Sequence, residues 1–527
     1  MPFTLEQAAG QMFLLSFDGC EKPPAEFLEL LSQGRVSGVV LFRHKNIGTL
    51  AGVRHLTQTL QSAAKKAGQP PLLIAADQEG GQLMAVGDCT PFPGNMALCA
   101  TRSERLAYQV GSALGRELAA LGINVDFAPV CDVNNNPRNP VVGTRSFGED
   151  PEMAGTLAGA MIRGLQRSGI AATAKHFPGH GDTSSDSHHG APVLKHSAQR
   201  IRRIELAPFR RAMDAGVRLI MTAHIVVLAL NGRSNDLPST LSPEVLKRVL
   251  RKEMGFKGLI VSDALDMGAL QQGDGYQAEV LAAVAAGNDL LLFNQDLSRA
   301  KSVFSNVVQA ARRGLLSQDD IRASSRRVTS LKNWLLRQSQ PGLEVVRCAE
   351  HLQLASEVAR RSITLVRDTA ELLPLRPGGK ETIAVVLPLP RDLTPADTSS
   401  YEKPALAAAM RRYHSHCDEV PISIDLTDSE VGQLRDALMA YEFIVMGTID
   451  AVTRRGQAKL MNELISAGKK VIAVALRLPY DLATYPAART CICTYSIVPP
   501  VMESLADALF GRIDFAGRLP VTIPSKL

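Results

Sequence analysis

Tryptophan is nearly absent: Trp334 is the single one in 527 residues, and aromatic side chains reach only 5%. Also missing is any apolar run long enough to span a bilayer, since the longest, 219–230, is interrupted by His224. There is no strong charge of one sign. Lys and Arg number 58 against 52 Asp and Glu, without a long basic run, so a nucleic-acid partner is not expected. The N-terminal MPFTLEQAAGQMFLL carries no basic residue ahead of its first apolar segment and no small-residue cleavage site behind it, so a cytoplasmic protein is expected. The eight cysteines lie mostly far apart, with one C-x-C pair at Cys491 and Cys493, and are expected to be buried free thiols. What remains is ordinary globular material: 45% hydrophobic and 21% charged residues exclude global disorder, collagen-like repeats and a coiled coil. A chain of this length holds two to four domains and can bury large cores without disulfide or metal staples.

Short apolar runs alternate with helical patterns, the signature of βα units on a parallel sheet. Up to residue 340 there are eight such runs: FLLSF (13–17), GVVLF (38–42), PLLIAAD (71–77), NVDFAPV (124–130), AATAKHF (171–177), LIMTAHI (219–225), GLIVSD (258–263) and DLLLF (289–293). Helices are expected over 103–122 and 242–255 between them. This pattern fits an α/β fold of the (β/α)8 TIM-barrel type over residues 1–340, with a doubly wound sheet as the alternative. Two further helices, 317–336 and 349–362, flank the break QSQPG at 338–342. Beyond it, 381–389, 441–449, 469–478 and 490–496 read as strands of a three-layer αβα sandwich domain spanning 341–527.

In a barrel the C-terminal ends of the strands carry the reacting groups, because all the βα loops converge there. The polar residues at the expected strand ends are Asp77, Asp132, Lys175 with His176, His224, Asp263 and Asn294. The densest segment is AATAKHFPGHGDTSSDSHHGAPVL (171–194). Its histidines at H-x3-H spacing raise the question of a metal, but Pro178, Gly179 and Gly181 disfavour the helix that such spacing needs, so no metal is expected. A polar loop carrying Asp186-Ser187-His188 suits an acid/base device instead. A carboxylate beside an imidazole can accept its N–H, fix its tautomer and raise its pKa toward working pH, which favours His188, with His189 as its rival. In GFKGLIVSDALDMGAL an apolar strand ends on Ser262 and Asp263, presenting a carboxylate that can act as a nucleophile; Asp266 belongs to the loop that follows. DQEGG (77–81) sets Asp77 and Glu79 ahead of paired glycines, where the backbone turns sharply.

Taken together, these segments resemble the family 3 glycoside hydrolases, and most closely their bacterial β-N-acetylglucosaminidase (β-hexosaminidase) branch. The resemblance rests on DQEGG (77–81), FPGNMAL (92–98), NVDFAPVCDVN (124–134), GTRSFGEDP (143–151), KHFPGHGDTSSDSHHGAPV (175–193), MTAHI (221–225) and GFKGLIVSDALDM (255–267), with SITLVRDTAELLPL (362–375) and ALFGRIDFAGRLPVTIP (508–524) in the second domain. It implies a barrel followed by an αβα domain. It further implies Asp263 as nucleophile, His188 as acid/base, Asp186 as the partner of His188, and Asp77, Arg145, Lys175 and His176 as ligands of the terminal sugar, with His224 lining or backing the pocket. Two displacements at one carbon would retain the β configuration.

The chain departs from that branch at Ala85, where the branch carries a sugar-binding arginine; Arg102 or another loop residue is a candidate substitute. Scarce aromatics argue against a long polysaccharide cleft, which stacks sugars on aromatic faces. The expected partner is therefore a small soluble glycoside or muropeptide with a terminal N-acetylglucosamine, handled by a monomer without a cofactor and serving peptidoglycan recycling. A β-glucosidase, β-xylosidase or phosphorylase of the same family, and a non-catalytic sugar-binding protein, are the alternatives.

Overall fold

The computed structural model describes residues 3–187, 190–232, 236–294 and 297–525. Eight strands follow one another around a closed barrel: β1 (Phe13–Leu15), β2 (Gly38–Val40), β3 (Leu73–Ala76), β4 (Val125–Asp126), β5 (Ala171–Phe177), β6 (Leu219–Thr222), β7 (Leu259–Ala264) and β8 (Leu290–Phe293). All neighbours are parallel, and β8 returns to β1 through the register Phe13↔Leu291. Each strand coincides with one of the eight expected runs, β7 passing the end of its own by Ala264, so the barrel stands and the doubly wound sheet does not.

The strands are apolar on both faces because both are covered. Leu14, Val40, Leu73, Ala75 and Val261 fill the barrel interior, while their neighbours Phe13, Leu15, Val39, Ile74 and Ile260 pack outward on the helices. Helix Gln318–Leu335 stoppers the N-terminal end of the barrel by adding Val328 and Leu331 to the interior cluster. It is pinned there by Ser324 and Arg327, which donate to the Asp289 carboxylate at 2.8 and 2.9 Å. Trp334 lies at that same end, under the Arg218 guanidinium. The C-terminal mouth is left as the end where a ligand can enter.

Local chemistry sets the helix boundaries. Helix α1 (Glu104–Ala120) starts at Ser103, whose hydroxyl accepts from the Leu106 amide. Helix α2 (Pro151–Arg167) starts at Asp150, with proline in its first turn, where a missing N–H costs nothing. The helix expected over 242–255 forms at Glu244–Glu253, but in the wider i→i+5 winding.

The second domain is a six-stranded sheet: β9 (Thr364–Asp368), β10 (Ile383–Pro388), β11 (Cys417–Ile422), β12 (Phe443–Thr448), β13 (Lys470–Ala475) and β14 (Thr490–Cys493), in the spatial order β9-β14-β13-β12-β10-β11. Only β9 runs antiparallel to its neighbour. Apolar clusters on both faces make it the expected three-layer sandwich. The four central strands were legible, whereas β9 and β11 were not. They lie at the edges, and β11 reads CDEVPI, with its middle residues largely facing water. Six of the eight cysteines are buried, Cys20 is exposed, Cys348 is half-buried, and none is paired. No helix among the described residues is long and apolar enough to cross a membrane.

The domains share material on both sides of residue 340. Helix α3 (Ala349–Ser362) gives Ala355 and Val358 to the barrel core and Ala359 to the sandwich core. Conversely, Met96, Ala97 and Ala100, from the barrel's short helix Asn95–Ala100, are buried in the sandwich cluster. A charge in that shared core would have no partner. Ala97→Asp is therefore expected to lower stability by about 3–5 kcal/mol, measured by scanning calorimetry as a lower and broadened, or split, unfolding transition.

Candidate active site

The mouth is organised around a buried carboxylate, that of Glu79. After β3 the chain turns back through Gly80 and Gly81, both at positive φ (82° and 62°). A Cβ on Gly81 would stand 2.9 Å from the Pro93 carbonyl oxygen, so only glycine allows this turn to lie against the Pro93–Gly94 backbone. The turn carries Glu79 inward to meet two cations. Arg145, delivered by the turn Gly143–Arg145, grips Glu79 with two bonds of 2.8 and 3.0 Å, and Lys175 of β5 reaches it at 2.6 Å. Lys175 Nζ also contacts Asp77 at 2.6 Å, and its own side chain is 1% exposed. Burial would raise the Glu79 pKa, but Arg145 and Lys175 outweigh it and bring it down to about 2. Burial would likewise depress Lys175, yet Asp77 and Glu79 raise it, so the ammonium stays charged. Behind them Asp126 accepts the Gln78 amide at 3.0 Å, and burial pushes its carboxyl up.

A second carboxylate orients two imidazoles. Asp132 Oδ2 meets His176 Nδ1 at 2.7 Å, while Oδ1 accepts the His176 and His180 amides at 3.2 and 2.7 Å. Since a carboxylate only accepts, the His176 proton is drawn to Nδ1 and Nε2 is left for a ligand. His180 bridges Thr183 at 2.8 Å and Ser187 at 3.1 Å, and burial drives its pKa down to about 4, so it is neutral at pH 7. Ser187 is fixed in turn by the Ala269 amide, which donates to its carbonyl. Asp186, buried next to Ser187, is therefore carried by an anchored loop. His188 and its rival His189 lie outside the described residues.

Asp263 stands near the end of β7, half-buried, with Oδ1 accepting the Ala264 amide at 2.8 Å. His224 is fully buried; it meets Thr240 at 2.8 Å through Nδ1 and donates from Nε2 to the Ala264 carbonyl at 2.8 Å. It thus holds the end of β7 from behind. Asp266 lies in the following loop, as expected, and accepts the Asn294 amide at 3.1 Å.

These groups converge on one cavity of about 440 Å³. Asp77, Arg145, Lys175, His176 and Asp263 line it, together with His180, Ser187 and Asn294. Residues 392–401 of the second domain, including Asp392, Asp397 and Tyr401, complete its wall. That segment is bound to the barrel through Gln82, whose carbonyl accepts the Thr398 amide at 2.7 Å, and through Arg477, which pairs with Asp397 at 2.8 Å and also bonds the Gln82 side chain. Ala85 lines the cavity too, but Arg102 does not stand in for an arginine there: its guanidinium donates to the Leu519 carbonyl at 2.7 Å. Glu79, Asp126 and His180 were missing from the sequence-based site. Asp126 was visible as a charge inside an apolar strand and Glu79 as part of DQEGG, but no feature of the sequence gave Glu79 its partners or raised His180 above the other histidines of its segment. Outside the cavity, Cys348, Glu350 and His351 place ligand-type atoms within 4.8 Å of one another, though Arg116 and Glu117 already engage Glu350 and His351.

Comparison with known proteins points one way. The N-terminal domain of glycosyl hydrolase family 3 matches residues 4–331. A β-hexosaminidase A from Pseudoalteromonas piscicida is 30% identical over 588 aligned positions, covering 99% of this chain and 98% of that protein. A β-N-acetylglucosaminidase/β-glucosidase from Cellulomonas fimi is 30% identical, over 98% of this chain and 93% of that one. Among solved structures, a family 3 β-N-acetylglucosaminidase from Paenibacillus sp. str. FPU-7 superposes with a TM-score of 0.93 at 34% identity, covering 99% of both chains.

Glu79→Gln would take the charge from Arg145's partner and leave Lys175 with Asp77 alone, at an expected cost of about 3–5 kcal/mol at pH 7. Because the folded pKa is depressed from 4.5 to about 2, the ionised Glu79 contributes its full stability above pH 4.5 and loses it as pH falls toward 2. The gap between wild type and variant in denaturant melts should accordingly narrow over that window.

Proposed function

The chain belongs to glycosyl hydrolase family 3, and from that membership we propose that it is an exo-acting β-N-acetylglucosaminidase that retains configuration. The observation that carries the proposal is a single-sugar-sized cavity in which the Asp263 carboxylate shares the wall with Asp77, Arg145, Lys175 and His176. Three of those are fixed by buried partners, and Asp263 is set by the strand end that His224 holds. Such fixed donors and acceptors suit a ring bearing several hydroxyls, and they reject analogues that lack them.

In the proposed mechanism Asp263 attacks the anomeric carbon while His188 gives a proton to the departing glycosidic oxygen. The C–O bond to the aglycone breaks as an ester bond to Asp263 forms. Water, deprotonated by the same imidazole, then attacks the anomeric carbon, breaks the ester and restores both groups; two inversions leave the β configuration. Asp186 holds the imidazole and stabilises its cationic form. A histidine suits this place because the mouth already carries the carboxylates of Asp77, Glu79, Asp132 and Asp263, and a fifth group that ionises to an anion would be disfavoured by them. Asp77 has one oxygen on Lys175 and a side chain 22% exposed, so it can accept from a sugar hydroxyl. The cavity suits the terminal residue of a small soluble glycoside, and we take a muropeptide fragment met in peptidoglycan recycling as the natural case.

The test is hydrolysis of matched 4-nitrophenyl β-glycosides (N-acetylglucosaminide, glucoside, xyloside), with and without phosphate. The N-acetylglucosaminide should be preferred, its product should form with retention by NMR, and Asp263→Ala should lower kcat by about four orders of magnitude or more. Preference for another glycoside would move the specificity within the family. A sugar 1-phosphate formed in phosphate buffer would make the enzyme a phosphorylase, and no turnover of any glycoside would count against catalysis itself.

A further inference from the structure

One cation in the cavity has no part in the charge cluster. Lys175 and Arg145 are held by Asp77 and Glu79, and Arg477 by Asp397. Arg43, on the loop after β2, forms no ion pair among the described residues. Its guanidinium lies over the Tyr401 ring of the second domain, with Cζ 4.0 Å from the ring centre, and among the described residues its polar contact is a 3.5 Å approach of Nη1 to the Met84 carbonyl. Two small residues make room for it. Ala85 presents only a methyl to the cavity, and a Cβ on Gly87 would stand 2.2 Å from Arg43 Nη2. A stacked guanidinium keeps its N–H edge directed outward, where it can donate to oxygen atoms in the ring plane.

The barrel's topology says which oxygen atoms those are. Eight strands in chain order put β3 directly across the mouth from β7, with β2 beside β3. If the anomeric carbon lies at Asp263 on β7, as the proposed function requires, the ring extends across the mouth toward Asp77 after β3 and Arg43 after β2. Its far end is C-4. A hydroxyl there can donate to Asp77 and accept from Arg43.

We propose that Arg43 is the specificity residue that reads the C-4 end of the terminal sugar, and that Tyr401 of the second domain is the positioning residue that holds it. This rests on the glycosidase function proposed above. It gives the second domain a share in substrate selection: the barrel supplies the guanidinium and the sandwich domain fixes its plane.

The experiment compares 4-nitrophenyl N-acetyl-β-D-glucosaminide with its C-4 epimer, the N-acetyl-β-D-galactosaminide, on the full-length enzyme. Wild type should prefer the gluco substrate. Arg43→Ala should raise KM for it about 10- to 100-fold, the worth of a charge-assisted hydrogen bond, with a smaller change in kcat and a collapse of the gluco/galacto ratio. Gly87→Ala, which displaces the guanidinium without removing it, should move the ratio the same way. Tyr401→Ala should weaken selection, and Tyr401→Phe, which keeps the ring, should restore it. Thermal melts guard against misfolding, since Arg43 takes part in no described ion pair and its loss should shift the melting point little. An unchanged ratio in Arg43→Ala, or a wild type indifferent to the epimer, overturns the inference while leaving the glycosidase function standing. A wild type that cleaves neither substrate overturns both.

Discussion

Everything at the mouth depends on how Glu79 is neutralised. A carboxylate taken out of water is tolerable only with opposite charges and hydrogen bonds in good geometry. Arg145 and Lys175 supply these, and because Lys175 also touches Asp77, one buried cluster ties the end of β3, the loop after β4 and the strand β5 together. The cluster sets two carboxylates against two cations, and the opposite charges hold Glu79, Arg145 and Lys175 in their ionised forms. That rigidity lets Asp77 present a fixed hydrogen-bonding atom to a ligand instead of adjusting to it, as Asp132 does for His176.

Asp263 is served differently. Its carboxylate accepts the Ala264 amide, and His224 holds the end of the strand that bears it through the Ala264 carbonyl. Such an arrangement suits the bond-forming role proposed for it above. The mouth therefore joins a charge-balanced cluster on one side to a half-buried carboxylate on the other, the group proposed above as the nucleophile.

The second domain is part of this device. The apolar residues Met96, Ala97 and Ala100 sink into the sandwich core, helix α3 serves both cores, and the segment 392–401 reaches back to Gln82 beside the Glu79 turn. One wall of the cavity thus comes from residues some three hundred positions away from the turn they touch, and its placement requires both domains to be folded and docked.

Much of the fold was legible in the sequence because its cause is local. Eight apolar runs at βα spacing are each a buried strand, the helix expected from Ser103 forms, and chains become polar where strands leave the core, which exposed Asp77, Asp132, Lys175, His176 and Asp263 as candidates. The edge strands β9 and β11 were hidden because an edge strand buries only part of its surface and keeps a mixed pattern. The charge cluster was hidden for another reason. Lys175 stood out as a strand end and Arg145 through the family resemblance, but that both pair with Glu79 is a mutual contact across strands, and no pattern along the chain records a distance through space. So the sequence by itself determined the elements, their order and the residue types that reach the mouth. Which of those residues pair, which stay open to a ligand, and that Tyr401 stands over Arg43 were decided only by tertiary structure, where burial turns separate charges into partners.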